Sequence, residues 1–113
     1  MGKYIRNIEH SKVMLLKDQV IYGEGQVVSK TLAQNNRHSL TLFAFDQDEE
    51  ISTHKSEGDA LIFVLEGVAE ITIDGEKYLL NENEAIVMPS NAPHAVYAKE
   101  KLKMLLAVSF PKD

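Results

Sequence analysis

Histidine offers the most versatile chemistry in this 113-residue chain, which contains His10, His38, His54 and His94. A neutral imidazole binds transition metals, and because its pKa lies near neutrality it also transfers protons. His54 lies two residues before Ser56, and His94 follows a loop bracketed by two prolines. His10 and His38 belong to no motif, and we expect them to be solvated or locally hydrogen-bonded. Metal binding or proton transfer in this chain therefore depends first on His54 and His94.

Several other kinds of chemistry are excluded by the sequence. There is no cysteine, so disulfides, thiolate metal sites and cysteine nucleophiles are absent. There is no Gly-x-Ser-x-Gly elbow, no glycine-rich phosphate loop and no Gly-x-Gly-x-x-Gly turn. The chain has 12 basic and 17 acidic residues and a net charge of −5, without a basic stripe. We therefore expect no nucleic-acid partner.

Length and composition favour one domain over residues 1–113. Apolar residues make up 44% of the chain, which is enough to build a core. The longest apolar runs fall well short of the roughly 20 residues that a membrane-spanning helix needs. No signal-peptide pattern is visible at the start. We expect a cytoplasmic protein with no membrane partner.

Short apolar or alternating runs separated by turn residues predict an all-β fold. The predicted strands cover residues 26–34, 38–45, 49–53, 60–66, 69–73, 77–80, 85–88, 94–98 and 102–109. Asp74-Gly75 predicts a two-residue type I′ hairpin turn, because both residues tolerate a positive φ. Pro89 and Pro93 lack backbone donors and predict a loop that delivers His94 to the start of a strand.

Residues 1–18 form an arm that the strand pattern does not explain. Its apolar residues are Ile5, Ile8, Val13, Leu15 and Leu16, and we expect the arm to pack against the rest of the domain or against a partner chain. The run from Ala60 to Leu65 is apolar on both faces of its predicted strand. Because a monomer would expose much of this surface, we expect a homodimer.

Two segments resemble the motifs of the small single-domain cupins of the conserved-barrel type. Residues 54–67, His-Lys-Ser-Glu-Gly-Asp-Ala-Leu-Ile-Phe-Val-Leu-Glu-Gly, resemble the first motif, and residues 83–94, Asn-Glu-Ala-Ile-Val-Met-Pro-Ser-Asn-Ala-Pro-His, resemble the second. The resemblance implies a jelly-roll (double-stranded β-helix) barrel over residues 37–109 with a site at its mouth. Asp48, Asn83 and Asn91 stand where the motifs favour glycine, and these residue types tolerate the left-handed conformation.

The cupin pattern implies a divalent metal held by a His-x-His pair, a following glutamate and a later histidine. Here His54 and His94 match, whereas Ser56 and Ala60 occupy the other two positions. We therefore expect no tightly bound metal, because two imidazoles hold an ion weakly. The alternative is a weakly held Fe, Mn, Ni or Zn ion on His54 and His94. Its third ligand would be drawn from three further residues: His38, Glu57 and Asp59. The simpler interpretation is that the two histidines hydrogen-bond to each other, to Ser56 or to water.

Strand alternation from the two histidines predicts what lines the barrel mouth. The predicted ligand-binding residues are His54, Ser56, Ala60, Ile62, Met88, His94 and Val96, with Val64 and Ala98 on the same face and Met104 nearby. Glu50 shares the strand parity of His54. We interpret the chain as a small-molecule-binding cupin without a tight metal site. The alternatives are an isomerase-like or dioxygenase-like enzyme that uses His54 and His94, and a dimerisation module whose pocket is vestigial.

Overall fold

The computed structural model describes residues 4–111, and their regular structure is almost entirely β-strand. One 3₁₀ turn spans Leu16–Gln19. Within the described residues, no helix has both the length and the apolar character needed to cross a membrane. The strands are β1 (Val27–Gln34), β2 (His38–Phe45), β3 (Glu50–His54), β4 (Asp59–Glu66), β5 (Ala69–Ile73), β6 (Glu76–Leu80), β7 (Ala85–Met88), β8 (His94–Ala98) and β9 (Leu102–Ser109).

The nine strands form two antiparallel sheets. The first has the order β1-β2-β9-β4-β7 and the second the order β3-β8-β5-β6. Each predicted strand corresponds to an observed one, with ends that agree to within one residue. The predicted all-β jelly-roll fold is confirmed. Strands far apart in the sequence become neighbours in this topology, so β3 lies beside β8 and β4 beside β9.

The core lies between the two sheets and follows the alternation of each strand. In β4 the residues Ala60, Ile62 and Val64 are buried, and in β5 every second residue from Ala69 is buried. Larger buried side chains, among them Phe45 and Met104, fill the space between the sheets. Burying each such side chain contributes about 1.5 to 3 kcal/mol to folding.

Turn residues with positive φ connect the strands. Asp74 (φ 50°) and Gly75 (φ 81°) join β5 to β6 as the predicted two-residue turn. The residues at three glycine-favouring motif positions also adopt positive φ: Asp48 (71°), Asn83 (69°) and Asn91 (64°). Gly67 (φ 88°) joins β4 to β5, and a Cβ added there would lie 1.8 Å from the carbonyl oxygen of Lys101. This connection therefore requires glycine for both conformation and space.

The segment before β1 packs on the outer face of the five-stranded sheet. Buried Val20, together with Ile8, Leu16 and Tyr22, covers a second apolar cluster whose sheet residues include Leu42. Val13 and Leu15 are 98% and 62% exposed, so they do not contribute to this packing. The predicted arm of residues 1–18 is thus only partly packed against the sheets, and residues 1–3 lie outside the described residues.

Hydrogen bonds anchor this segment to the sheet beneath it. The amide of Arg6 donates to the Leu32 carbonyl at 2.8 Å, and the Lys103 ammonium donates to the Lys17 carbonyl at 2.7 Å. The Tyr22 hydroxyl donates to the Glu66 carboxylate at 2.5 Å. Burial of Tyr22, followed by the bonded Glu66 carboxylate, raises the pKa of its phenol. These bonds leave the opposite, inner face of the sheet free to line a cavity.

Candidate functional site

The centre of the candidate site is a pair of histidines on neighbouring strands. His54 is the last residue of β3, His94 is the first residue of β8, and the two are opposite each other in the antiparallel ladder. The register shifts between Ile51 and His54, where β3 has one extra residue relative to β8. Such a bulge re-aims the side chains that follow it. As a result, Ile51 and His54 both line the same cavity although three residues separate them.

The two imidazoles contact each other directly. Their Nε2 atoms are 3.0 Å apart, and their ring centroids are 4.2 Å apart with an interplanar angle of 74°. The Nδ1 of His54 lies 3.0 Å from the carbonyl oxygen of Ser52, and the Nδ1 of His94 lies 3.0 Å from that of Ala92. Because a carbonyl oxygen only accepts hydrogen bonds, each Nδ1 must be protonated to bond there.

This geometry limits the protonation of the pair. Three hydrogen-bond positions run from the Ser52 carbonyl to the Ala92 carbonyl: one at each Nδ1 and one between the two Nε2 atoms. Two neutral imidazoles supply only two N–H groups for them. One additional proton completes all three bonds. Burial of His94, which is 3% exposed, followed by the positive charge of His54, lowers the pKa of His94. Protonation of His94 beside a charged His54 is therefore disfavoured, so the pair does not carry two positive charges near neutral pH.

The loops at the mouth of the cavity are tied to each other. The amide of Asn91 donates to the Ser56 carbonyl at 2.7 Å, which joins the β7–β8 loop to the β3–β4 loop. The amide of Ser90 donates to Asp59 at 2.8 Å, and the Ser90 hydroxyl donates to the Glu57 carbonyl at 2.6 Å. These three bonds order the rim from which Ser56 faces the cavity.

A cavity of about 470 Å³ opens beside the histidine pair. This volume lies within the range of about 300 to 1,000 Å³ that is typical of small-molecule sites. The lining residues are Phe43, Ile51, His54, Lys55, Ser56, Glu57, Ala60, Ile62, Met88, His94, Val96, Met104, Leu106, Val108 and Phe110. All seven residues that the sequence predicted to bind a ligand are among them. Met104, predicted to lie near the pocket, also lines it.

Four other predicted positions do not line the cavity. Val64 and Ala98 are fully buried in the core between the sheets. Glu50 is exposed and pairs with Tyr97. Because β3 has one extra residue between Ile51 and His54, the Glu50 side chain lies on the opposite face of the strand from His54. His38 is exposed and lines a groove on the outer side of the five-stranded sheet, so it cannot reach the two histidines.

Sequence reasoning missed six of the lining residues and named a seventh, Glu57, only as a possible metal ligand. Leu106 and Val108 follow Met104 at every second position of β9, so strand alternation could have identified them. Phe43 could have been assigned only with knowledge that β2 pairs with β9. Ile51 lines the cavity because of the bulge in β3, and no sequence signal indicates that bulge. Lys55, Glu57 and Phe110 lie just outside strands, where alternation does not apply.

The donor set does not fit the metal site that the cupin pattern implies. His54 and His94 supply two nitrogen ligands, but Ser56 supplies only a neutral hydroxyl and Ala60 a methyl group. Within residues 4–111, no group of three or more histidine, aspartate or glutamate side chains is arranged to hold a metal ion. The mouth residue Glu57 and the rim residue Asp59 therefore do not complete the set. Asp59 instead accepts the Ser90 amide.

Comparisons with known proteins agree with this architecture. The family described as "Cupin domain" matches residues 41–109. A conserved Streptococcus pyogenes protein of unknown function is 46% identical, with 99% of this chain and 98% of that chain covered and a TM-score of 0.96. A cupin superfamily protein from Desulfitobacterium hafniense is 31% identical, with coverage of 95% and 98% and a TM-score of 0.91. No curated protein matches the chain.

A third solved structure extends the likeness to a longer chain. The cupin 2 conserved barrel domain protein from Leptotrichia buccalis is 38% identical over 83% of this chain and 46% of its own, with a TM-score of 0.81. The family match covers more than half of the residues and includes both histidines and both motifs. The chain is a member of the cupin family.

Proposed function

We propose that this cupin binds a small organic molecule in the cavity beside His54 and His94, without a tightly held metal ion. The observation that carries the proposal is the direct contact of the two imidazoles, with Nε2 atoms 3.0 Å apart, at the edge of a 470 Å³ cavity. Small-molecule sites are usually apolar pockets into which a few polar groups converge, and this cavity has that composition.

A thermal-shift screen of a metabolite library tests this proposal. The screen compares the wild-type protein with His94→Ala, which removes the buried imidazole, and with His10→Ala, which removes an exposed imidazole outside both the cavity and the outer groove. We expect compounds that stabilise the wild type and His10→Ala but not His94→Ala. Either the absence of any stabilising compound or equal responses from all three proteins would refute the proposal.

A second candidate function is catalysis by the histidine pair. Two imidazoles in direct contact in a partly apolar cavity have the composition of a proton-transfer site, as a metal-free isomerase needs. The metal-dependent form of this alternative needs a weakly held divalent ion. Elemental analysis of protein purified without chelator distinguishes these forms: a stoichiometric amount of Fe, Mn, Ni or Zn would favour a metal-dependent enzyme.

We further propose that the chain forms a homodimer through the outer face of the five-stranded sheet. Leu61 and Val87 are opposite each other on β4 and β7 and are 38% and 52% exposed. They line a groove of about 660 Å³ in which Asp59 is the only acidic residue among those that the structure describes. Because each copy carries a net charge of −5, two copies meet most favourably where acidic groups are sparse.

A further inference from the structure

The polarity of the cavity changes from its mouth to its floor. Its five polar lining residues are the consecutive residues 54–57, none of which is buried, and His94, which is buried but contacts His54. The other ten lining residues are apolar, and they include Met88 and Met104 on the buried side. A molecule that fills this space must therefore have one polar end and one apolar end, because an unpaired polar group against the apolar walls would be destabilising.

The polar end of the cavity offers hydrogen-bond donors. The Ser56 Oγ accepts the Gly58 amide at 3.2 Å, so its own hydroxyl proton is directed away from that bond. Among the described residues, the Ser56 hydroxyl donates to no acceptor and the Lys55 ammonium forms no ion pair. Both residues line the cavity. They are available to a ligand atom that accepts hydrogen bonds.

The charge at the mouth is balanced or positive. Among the residues that the structure describes, Glu57 is the one acidic lining residue, and the Lys55 ammonium two residues before it offsets its charge. The histidine pair adds no negative charge, because an imidazole side chain is either neutral or cationic. No second carboxylate lines the cavity within residues 4–111. An anionic group is therefore accommodated better here than a cationic one.

We propose that the ligand is an amphipathic monoanion, with a carboxylate that accepts hydrogen bonds from Ser56 and Lys55 beside the histidine pair and an apolar body that reaches Met88 and Met104. This inference rests on the proposed function as a small-molecule-binding protein and specifies the ligand class for the same cavity. Hydrogen bonds to an ionised acceptor are roughly twice as strong as those between neutral groups, so the carboxylate supplies specificity. The apolar body supplies most of the affinity.

Octanoate, 1-octanol and octylamine test the inference, because they share one apolar chain and differ in the polar end. Binding is followed by NMR of ¹³C-labelled methionine methyl groups, with Met88 and Met104 in the cavity and Met14 outside it as an internal reference. We expect octanoate to shift the Met88 and Met104 signals and not the Met14 signal. We expect its Kd to be at least about tenfold below those of the alcohol and the amine.

Single substitutions identify the donors. Ser56→Ala should weaken octanoate binding about tenfold, and Lys55→Met about two- to fivefold, because the ammonium is exposed. Glu57→Gln should tighten octanoate binding, since it removes the one negative charge among the described residues that line the cavity. Lys77→Met is the matched control: it also removes one exposed positive charge, but on β6, and should leave the Kd unchanged.

The outcomes separate this inference from the proposed function. Equal or tighter binding of 1-octanol or octylamine at Met88 and Met104 would overturn the anionic ligand class and leave small-molecule binding intact. No shift with any of the three probes would overturn the inference as well, while the library screen with His94→Ala would still decide the proposed function. Unchanged octanoate binding by Ser56→Ala and Lys55→Met would also contradict the proposal.

Discussion

His54 and His94 are opposite residues of two antiparallel strands, and their imidazole Nε2 atoms lie 3.0 Å apart. Each Nδ1 lies 3.0 Å from a backbone carbonyl oxygen two residues earlier in its own chain segment. The two rings are thus held at both nitrogens, and neither can rotate without breaking a hydrogen bond. This rigidity makes the pair a fixed polar element in an otherwise apolar cavity and a sensitive point for mutation and pH.

Protonation of His94 should destabilise the fold. Burial and the charge of His54 lower the pKa of His94 below its ordinary value of 6.5. Between that folded-state pKa and pH 6.5, the unfolded chain binds more protons than the folded one at this position. The contribution to the free energy of unfolding is therefore fully present above pH 6.5. It is lost as the pH falls through the folded-state pKa, by at most about 1.4 kcal/mol per pH unit.

Urea unfolding of the wild type and His94→Gln at pH 7.5 and at pH 5.0 measures this effect. The wild type should lose more stability than the variant between the two pH values, because glutamine does not titrate. The same loss in both proteins would show that His94 contributes nothing to the pH dependence.

Restoring the missing metal ligands should create a metal site. In Ser56→His/Ala60→Glu, two further donors would face the cavity that His54 and His94 already line. Loss of a single outer-shell partner lowers the affinity of a metal site by up to about 100-fold. Because these substitutions add two direct ligands, we expect the affinity for Zn²⁺ to rise by more than about 100-fold. Isothermal titration calorimetry measures the change, with Ser56→Asn/Ala60→Gln as the size-matched control. Tight stoichiometric binding by the wild type would contradict our interpretation of the donor set.

Two glycines with positive φ should differ in their tolerance of a methyl group. Gly75→Ala should cost about 1 kcal/mol, because φ is 81° and the added Cβ meets no atom within 4 Å. Gly67→Ala should cost about 1 to 3 kcal/mol more, because its Cβ would lie 1.8 Å from the Lys101 carbonyl oxygen. Chemical denaturation measures both values, and equal costs would show that the β4–β5 connection relaxes freely.

The proposed dimer should depend on the outer face of the five-stranded sheet. Sedimentation equilibrium of the wild type should give twice the chain mass of 12.7 kDa at micromolar concentration. Val87→Lys should shift the protein toward the monomer, because it places a charge in the apolar groove. Leu79→Lys is the control: Leu79 is also exposed, at 56%, but lies on β6 of the other sheet. A monomeric wild type would refute the proposal.

Local sequence signals determined much of the fold. Alternating apolar residues predicted the strands because successive side chains point to opposite faces, and Asp74-Gly75 predicted its hairpin because both residues tolerate positive φ. The motif spacing placed His54 and His94 near one cavity. The types of the residues at positions 56 and 60 are the basis for expecting no tight metal site, which stays a prediction.

The remaining features were decided by contacts between distant segments. The bulge in β3 shows only in the register with β8, and it removes Glu50 from the face that His54 occupies. The side chains of Phe43 and Leu106 reach one cavity because β2 and β9 are adjacent in the sheet. Chemical type and local spacing belong to the sequence itself. Strand register and cavity shape arise from long-range pairing, which no single segment encodes.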